Sequence, residues 1–70
     1  MYPNLELVMK TKGVSLENLA LALHMHRNTA ANKLNGITDF TYTEAMIISE
    51  VIFPEYKASY LFARKAENAG

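Results

Sequence analysis

The residues between positions 27 and 35 carry side chains whose types and spacing could do chemistry at a surface. If this segment is an α-helix, one side holds the positions i, i+3, i+4 and i+7, which are Asn28, Ala31, Asn32 and Asn35. The opposite side holds Ala30 and Leu34. An Asn side chain donates and accepts hydrogen bonds at once, and an adenine edge in the major groove of double-stranded DNA offers the complementary pair. The pattern therefore indicates a short helix that is better suited to a groove lined with hydrogen-bonding edges than to packing against protein.

Enzymatic and metal chemistry have little support in the sequence. The chain contains no cysteine, no Gly-rich phosphate loop and no nucleophile elbow, so we expect neither an enzyme nor a bound cofactor. His24 and His26 are two residues apart across a turn, which does not bring both rings to one side, and no third ligand is near. We interpret His26 as a helix cap. No metal site and no small-molecule ligand is expected.

The length and composition of the chain indicate its class. Seventy residues form one domain, and a domain of this size buries only about 60% of the surface that its unfolded chain exposes. The absence of cysteine fits a reducing cytoplasm, and no apolar run approaches the roughly 20 residues of a membrane span. We therefore expect a cytoplasmic protein that does not cross a membrane, with a domain over residues 1–66 and a frayed tail over residues 67–70.

The distribution of charge is more informative than its sum. The formal net charge is zero, which argues against a purely electrostatic binder of nucleic acid. No acidic residue occurs between Glu17 and Asp39, whereas the interval contains Arg27, Lys33 and two histidines. Phosphate contacts act over a Debye length of roughly 8 Å, so the local excess of positive charge outweighs the zero sum.

Start and stop signals predict five short helices and no sheet. The first covers residues 4–12 and ends at Gly13 in a left-handed conformation, with Val14 closing over Met9 in a Schellman motif. The second begins at the N-cap Ser15, and Glu17 complements the positive end of its dipole. Its buried positions are expected to be Leu16, Leu19, Ala20 and Leu23. The fold class that follows is all-α, a compact bundle of four to five short helices.

The remaining helices have equally specific boundaries. The third covers residues 27–35 and is stopped by Asn35-Gly36, after which Ile37 is expected to anchor the loop in the core. The fourth starts with a capping box formed by Thr41 and Glu44 and ends at Phe53, before Pro54. A last helix over residues 56–65 would dock two core residues, Leu61 and Phe62.

The segment SLENLALALHMHRNTAANKLNG, residues 15–36, resembles the helix-turn-helix motif of the phage-repressor and Cro-type family. Ala20 matches the position where the two motif helices cross closely, and His24-Met25-His26 occupies the turn. The segments before and after the motif are similar to small members of this family from Gram-positive bacteria and their phages, so the resemblance covers almost the whole chain. It implies a lambda-repressor-like fold.

Two residues depart from the family pattern. His24 stands where many members have Gly, because the backbone there prefers φ > 0, a conformation that His tolerates better than β-branched residues do. Leu16 stands where many members carry a polar side chain that touches a phosphate, so one backbone contact is expected to be missing.

The resemblance also implies roles for individual residues, carried over position by position. The residues expected to face base edges are Arg27, Asn28 and Asn32, with Thr29 and Ala31 at the margin. The residues expected to contact the sugar-phosphate backbone are Lys33, Asn35, Thr38, Thr41 and Tyr42. Backbone contacts position a protein on the duplex, whereas base contacts specify the sequence.

Two functions remain open at this point. The first is a sequence-specific double-stranded DNA-binding transcriptional regulator, a repressor or Cro-like protein that obstructs polymerase, with two copies on half-sites about one helical turn apart. The alternative is a protein-interaction module with the same fold that does not bind DNA, such as an antirepressor or regulatory subunit. The zero net charge and Leu16 favour the alternative, as do the candidates for self-association or partner contact, which are Leu21, Tyr56 and Tyr60.

Overall fold

Residues 2–64, which the computed structural model describes, form five α-helices and one π-helical segment, with no strand among them. The α-helices are α1 (Pro3–Lys12), α2 (Leu16–Ala22), α3 (Arg27–Leu34), α4 (Tyr42–Ile47) and α5 (Ala58–Leu61), and the π-helical segment is Ile48–Ile52. The expected all-α bundle of short helices is confirmed. No helix among the described residues is long and apolar enough to cross a membrane. The predicted end of the last helix at Lys65 and the tail over residues 67–70 lie outside the described residues.

The end of α1 has the predicted geometry. Gly13 adopts φ 71° and ψ 29°, and its N–H donates to the carbonyl of Lys10 at 3.3 Å. The N–H of Val14 donates to the carbonyl of Met9 at 2.8 Å, which completes a Schellman motif. Val14 packs against the core beside the buried Met9, so the apolar pair that accompanies this motif is present.

A single hydrophobic core forms where the helices meet. Its buried members are Tyr2, Leu5, Val8, Met9, Leu19, Leu23, Ile48, Phe53 and Leu61. Ala20 and Ala30 are also buried, in the two helices α2 and α3 that pack together. Small side chains at both positions allow the helices to approach closely. Leu16 was predicted to be buried but is only partly covered, because it lies at the first position of α2.

The fourth helix changes its winding after Ile47. It was predicted to be α-helical up to Phe53, but residues Ile48–Ile52 are π-helical, and the N–H of Phe53 donates to the carbonyl of Ile48 at 2.9 Å. This i→i+5 bond joins the backbones of Phe53 and Ile48 across one wide turn, and both side chains are buried. In an α-helix, two residues five positions apart would face different directions. The helix ends at Phe53 before Pro54, as expected.

The last helix is shorter than predicted because the chain after Pro54 forms a turn. The N–H of Tyr56 donates to the carbonyl of Phe53 at 3.0 Å, so α5 begins only after Lys57. It docks Leu61 in the core, and Asn4 of α1 donates from Nδ2 to the carbonyl of Tyr60 at 2.9 Å.

An aromatic cluster brings the first and last described residues together. The ring centroids of Tyr2, Phe40 and Phe62 lie 5.4–5.7 Å apart in tilted or edge-to-face pairs. The Arg64 guanidinium donates to the Tyr2 hydroxyl at 3.0 Å and to Oδ1 of Asp39 at 3.2 Å. These contacts tie the loop that follows α3 to α1 and to the end of the described chain.

Candidate nucleic-acid interface

The turn between α2 and α3 is a Schellman motif with His24 in place of glycine. His24 has φ 55°, the left-handed conformation expected at this position. Its N–H donates to the carbonyl of Leu21 at 3.1 Å, and the N–H of Met25 donates to the carbonyl of Ala20 at 3.0 Å. Met25 packs against the core. The turn is therefore closed by two backbone hydrogen bonds and one apolar anchor, which fixes the angle at which α3 leaves α2.

A reciprocal cap determines where α2 begins. The predicted N-cap Ser15 accepts a hydrogen bond at Oγ from the N–H of Asn18 at 3.1 Å, and Asn18 accepts from the N–H of Ser15 at 3.2 Å. Sequence reasoning identified Ser15 but missed Asn18, because a capping box ordinarily carries Glu or Gln at that position. The amide of Asn18, three residues after the N-cap Ser15, could have predicted this reciprocal pair of hydrogen bonds.

The outer side of α3 is solvent-exposed, and its inner side is held by the core. Ala30 is fully buried and Leu34 packs against the core, as the helical spacing predicts. The exposed residues of the helix and its C-cap are Arg27, Asn28, Thr29, Asn32 and Asn35. The structure thus brings the predicted base contacts to one end and one side of a short helix. Ala31 is partly covered and lines a groove of about 350 Å³ between α1 and α3, so it lies at the edge of this surface.

Arg27 is exposed and only loosely paired. Its Nη1 lies 3.8 Å from Oε2 of Glu17 on α2, and both side chains are mostly solvent-exposed. An ion pair of this kind contributes little energy in water. The guanidinium at the start of α3 can therefore exchange Glu17 for a phosphate or a base edge at low cost. The neighbouring His26 is the N-cap residue of α3, as predicted. Its side chain, however, makes no capping hydrogen bond.

Lys33 has a different role from the predicted phosphate contact. Its side chain is only 12% exposed, and Nζ lies 3.0 Å from Oε1 of Glu44. The same ammonium donates to the carbonyl of Asp39 at 3.0 Å. The group is committed to contacts within the protein because the chain folds back after Gly36 and places the start of α4 against α3. Lys33 therefore joins α3 to the following loop and to α4, and its ammonium is engaged in these contacts where an open phosphate contact was expected.

Glu44 is the centre of these contacts. Thr41 donates from its N–H to Oε1 of Glu44 at 2.9 Å and accepts at Oγ1 from the N–H of Glu44 at 3.1 Å, so the predicted capping box is confirmed. Partial burial opposes the charged carboxylate, but the hydrogen bonds from Thr41 and Lys33 and the Lys33 charge outweigh it and lower the pKa of Glu44 below its ordinary value of 4.5.

Ile37 does not anchor the loop in the core, and this prediction was wrong. The end of α3 is a third Schellman motif: Gly36 has φ 80°, its N–H donates to the carbonyl of Lys33, and the N–H of Ile37 donates to the carbonyl of Asn32 at 2.9 Å. The residue that such a motif brings beside Ile37 is polar here, so no apolar pair forms. The Ile37 side chain is 70% exposed.

The other predicted backbone contacts lie beyond the end of α3. Asn35 is its C-cap, and Thr38, Thr41 and Tyr42 are all exposed. Thr41 already uses its hydroxyl oxygen in the capping box, whereas the Tyr42 ring is free of the core. Sequence reasoning did not include Lys10, an exposed cation of α1 that lines the same groove as Asn35.

The candidates for self-association lie on different elements. Leu21 of α2 is 74% exposed and lines a second groove, together with Met25 and Arg27. Tyr56 and Tyr60 stack on each other, with ring centroids 5.7 Å apart and planes 19° from parallel. Tyr56 packs against the core, so the pair covers the core beside α5 while the Tyr60 side chain remains exposed.

The described residues contain no group of three or more His, Asp or Glu side chains that could hold a metal ion. The exposed surface around α3 offers amides, the Arg27 guanidinium, the Lys10 ammonium, hydroxyls and a few apolar groups. Comparisons with protein-family models, with curated proteins and with solved structures found no match for this chain.

Proposed function

We propose that the protein is a sequence-specific double-stranded DNA-binding transcriptional regulator, a repressor or Cro-like protein that reads the major groove with residues 27–35. One observation carries this proposal. The outer side of α3 presents Asn28 and Asn32 to solvent, while Ala30 and Leu34 hold the helix from behind. The resemblance of residues 15–36 to the phage-repressor and Cro-type helix-turn-helix supports the same reading.

The geometry of α3 suits a groove. An α-helix with its side chains is about 10–12 Å in diameter, and the major groove of B-DNA is about 12 Å wide, so the eight-residue α3 can lie within it. Schellman turns at His24 and at Gly36 flank the helix, so the backbone that carries its exposed amides does not need to be ordered when DNA binds. Preorganisation of this kind lowers the entropic cost of binding.

The positive charges near α3 would by themselves bind DNA only weakly. Lys33 is occupied by Glu44, and Lys12 pairs with Glu55 at 2.9 Å, so few cations remain beside α3. Among residues 2–64, the available ones are Arg27 at the start of α3 and Lys10 near its end. Weak phosphate binding makes base contacts and a second copy more important, and we propose that two copies bind adjacent half-sites and obstruct polymerase sterically.

Selection of bound duplexes from a random pool, followed by titration at low and moderate salt, tests the proposal. We expect a palindromic preferred sequence and binding that weakens as salt rises. Asn32→Ala should relax the preference at one position of each half-site, because it removes a base contact. Asn35→Ala is the matched control on the same helix, and it should weaken all sequences alike. Absence of binding at low salt would exclude the proposal.

A second candidate function is favoured by Leu21. A 74% exposed leucine in a groove that also contains Met25 and Arg27 offers an apolar contact to a protein partner. In that case the module would act as an antirepressor or regulatory subunit without binding DNA. Titration with duplex DNA at low salt separates the two functions, because the regulator should bind and the interaction module should not. Leu21→Ser should leave the contact of α3 with DNA unchanged.

A further inference from the structure

Two of the Schellman motifs in this chain differ in one respect that bears on recognition. At the end of α1 the motif pairs Val14 with Met9, and both side chains belong to the core or pack against it. At the end of α3 the equivalent pair is Ile37 and Asn32. An apolar residue at the first of these positions ordinarily packs on an apolar residue at the second. At the end of α3 the second position is held by Asn32, an amide and the proposed base-reading residue. The Ile37 side chain therefore finds no apolar partner there and is open to solvent.

The backbone that carries Ile37 is held firmly. Its N–H donates to the carbonyl of Asn32 at 2.9 Å, and the N–H of Thr38 donates to the same carbonyl at 3.4 Å. Two residues further on, the carbonyl of Asp39 accepts a hydrogen bond from Lys33 at 3.0 Å. Exposure of an isoleucine to water is unfavourable in the free protein, so its burial on binding is favourable. Because this segment is already fixed, the burial does not require the backbone to be ordered.

We propose that Ile37 is a specificity-determining residue that packs against the 5-methyl group of a thymine next to the base pair read by Asn32. The inference rests on the proposed function. Ile37 has no side-chain donor or acceptor, so it cannot hold a phosphate. The thymine methyl is the apolar group that base edges present in the major groove, and it is the natural partner of an apolar side chain there. Ile37 thus adds a preference for thymine to the preference that Asn32 provides.

The test removes the methyl group from the DNA and the apolar side chain from the protein. The duplex selected from the random pool is synthesised with deoxyuridine in place of each thymine in turn, which deletes only the 5-methyl group. Wild-type protein and the Ile37→Ala variant are titrated against the series. Val51→Ala is the matched control, because Val51 is 72% exposed and lies in the π-helical segment.

We expect one thymine in each half-site at which deoxyuridine weakens wild-type binding about fourfold, the value of one buried methyl group. Ile37→Ala should bind the thymine duplex more weakly and lose the difference between thymine and deoxyuridine at that position. Val51→Ala should retain it. Because Ile37 is exposed, its replacement should leave the thermal unfolding curve unchanged, which separates a lost contact from a lost fold.

The outcomes that overturn the inference differ from those that overturn the proposed function. If wild-type protein binds no duplex, the proposed function fails. If it binds a selected sequence but Ile37→Ala has the same deoxyuridine profile as wild type, the inference alone fails. An equal loss of affinity at every position, with the profile preserved, would instead place Ile37 against deoxyribose or at a contact between the two copies.

Discussion

The ammonium group of Lys33 lies 3.0 Å from Oε1 of Glu44 and joins the exposed helix α3 to the first turn of α4. The Lys33 side chain is 12% exposed and that of Glu44 is 20% exposed, so the pair is largely withdrawn from water. Removing one partner leaves the other charge in a partly desolvated place, which costs more than the loss of a surface pair.

Lys33→Met should lower the free energy of unfolding by about 1–3 kcal/mol, between the values typical of exposed and of buried pairs. Urea unfolding at neutral pH measures it. The control is Lys57→Met, which removes an exposed lysine at the start of α5 and should change stability by less than about 0.5 kcal/mol. Equal losses in the two variants would show that the ion pair contributes nothing.

The same pair makes stability depend on acid. The pKa of Glu44 is lower in the folded protein than its ordinary value of 4.5, so its contribution is fully present above that value and is lost as the pH falls through the folded pKa. We expect Glu44→Gln to be less stable than wild type at pH 7. On acidification to about pH 3, the variant should lose less of its free energy of unfolding than wild type does. Glutamine still accepts from Thr41, so the cap is kept.

Glu55→Gln serves as the comparison for the acid experiment. Lys12 lowers the pKa of Glu55 through a hydrogen bond and its charge, but both side chains are more exposed than those of the Lys33–Glu44 pair. Glu55→Gln should therefore change the loss of stability on acidification less than Glu44→Gln does. A larger effect from Glu55→Gln would contradict the importance assigned to Glu44.

His24→Gly should raise the free energy of unfolding by up to about 1 kcal/mol. The left-handed conformation at φ 55° is strained for a residue with a Cβ atom and free of strain for glycine. His24→Val should lower stability, because β-branched residues are genuine outliers in this region. Thermal unfolding of the three proteins gives the order Gly, His, Val; any other order would contradict the account of the turn.

Arg27→Ala should weaken binding to the selected duplex at least about fivefold, because the guanidinium at the start of α3 is free to leave Glu17 for DNA. If it meets a phosphate, the salt dependence should also become shallower by about one ion. Lys57→Ala removes the same charge elsewhere and is the matched control. Titration at several salt concentrations distinguishes the two variants, and identical affinities would remove Arg27 from the interface.

Local signals predicted much of this fold. Gly13, Ser15 and the Thr41–Glu44 capping box mark helix ends through contacts within a few residues, and the structure has all of them. The left-handed conformation of His24 was expected from the family resemblance and not from a local signal, and the hydrogen bonds that close its turn run to α2 alone. The exposure of Asn28 and Asn32 follows from helical spacing once Ala30 and Leu34 are assigned to the core.

Features that depend on distant parts of the chain were not predictable in this way. The sequence around Lys33 predicts a solvent-exposed lysine. Its ion pair with Glu44 forms only because the chain folds back and places α4 against α3. Ile37 is a different case, because the cause of its exposure is local: with Gly36 in the left-handed conformation, its Schellman partner is Asn32, which offers no apolar contact. The π-helical winding accompanies the burial of Ile48 and Phe53 in a core formed by several helices, and no local signal for it was recognised in the sequence.

The π-helical segment holds one surplus residue in a single turn, because the bond from Phe53 spans five positions back to Ile48. Excision of Val51, whose side chain faces water, would reduce that interval to one ordinary turn and leave both buried side chains in register. A deletion of the same size within α3 would rotate every later side chain by about 100°. The segment over residues 42–52 can thus absorb a change in chain length that α3 cannot.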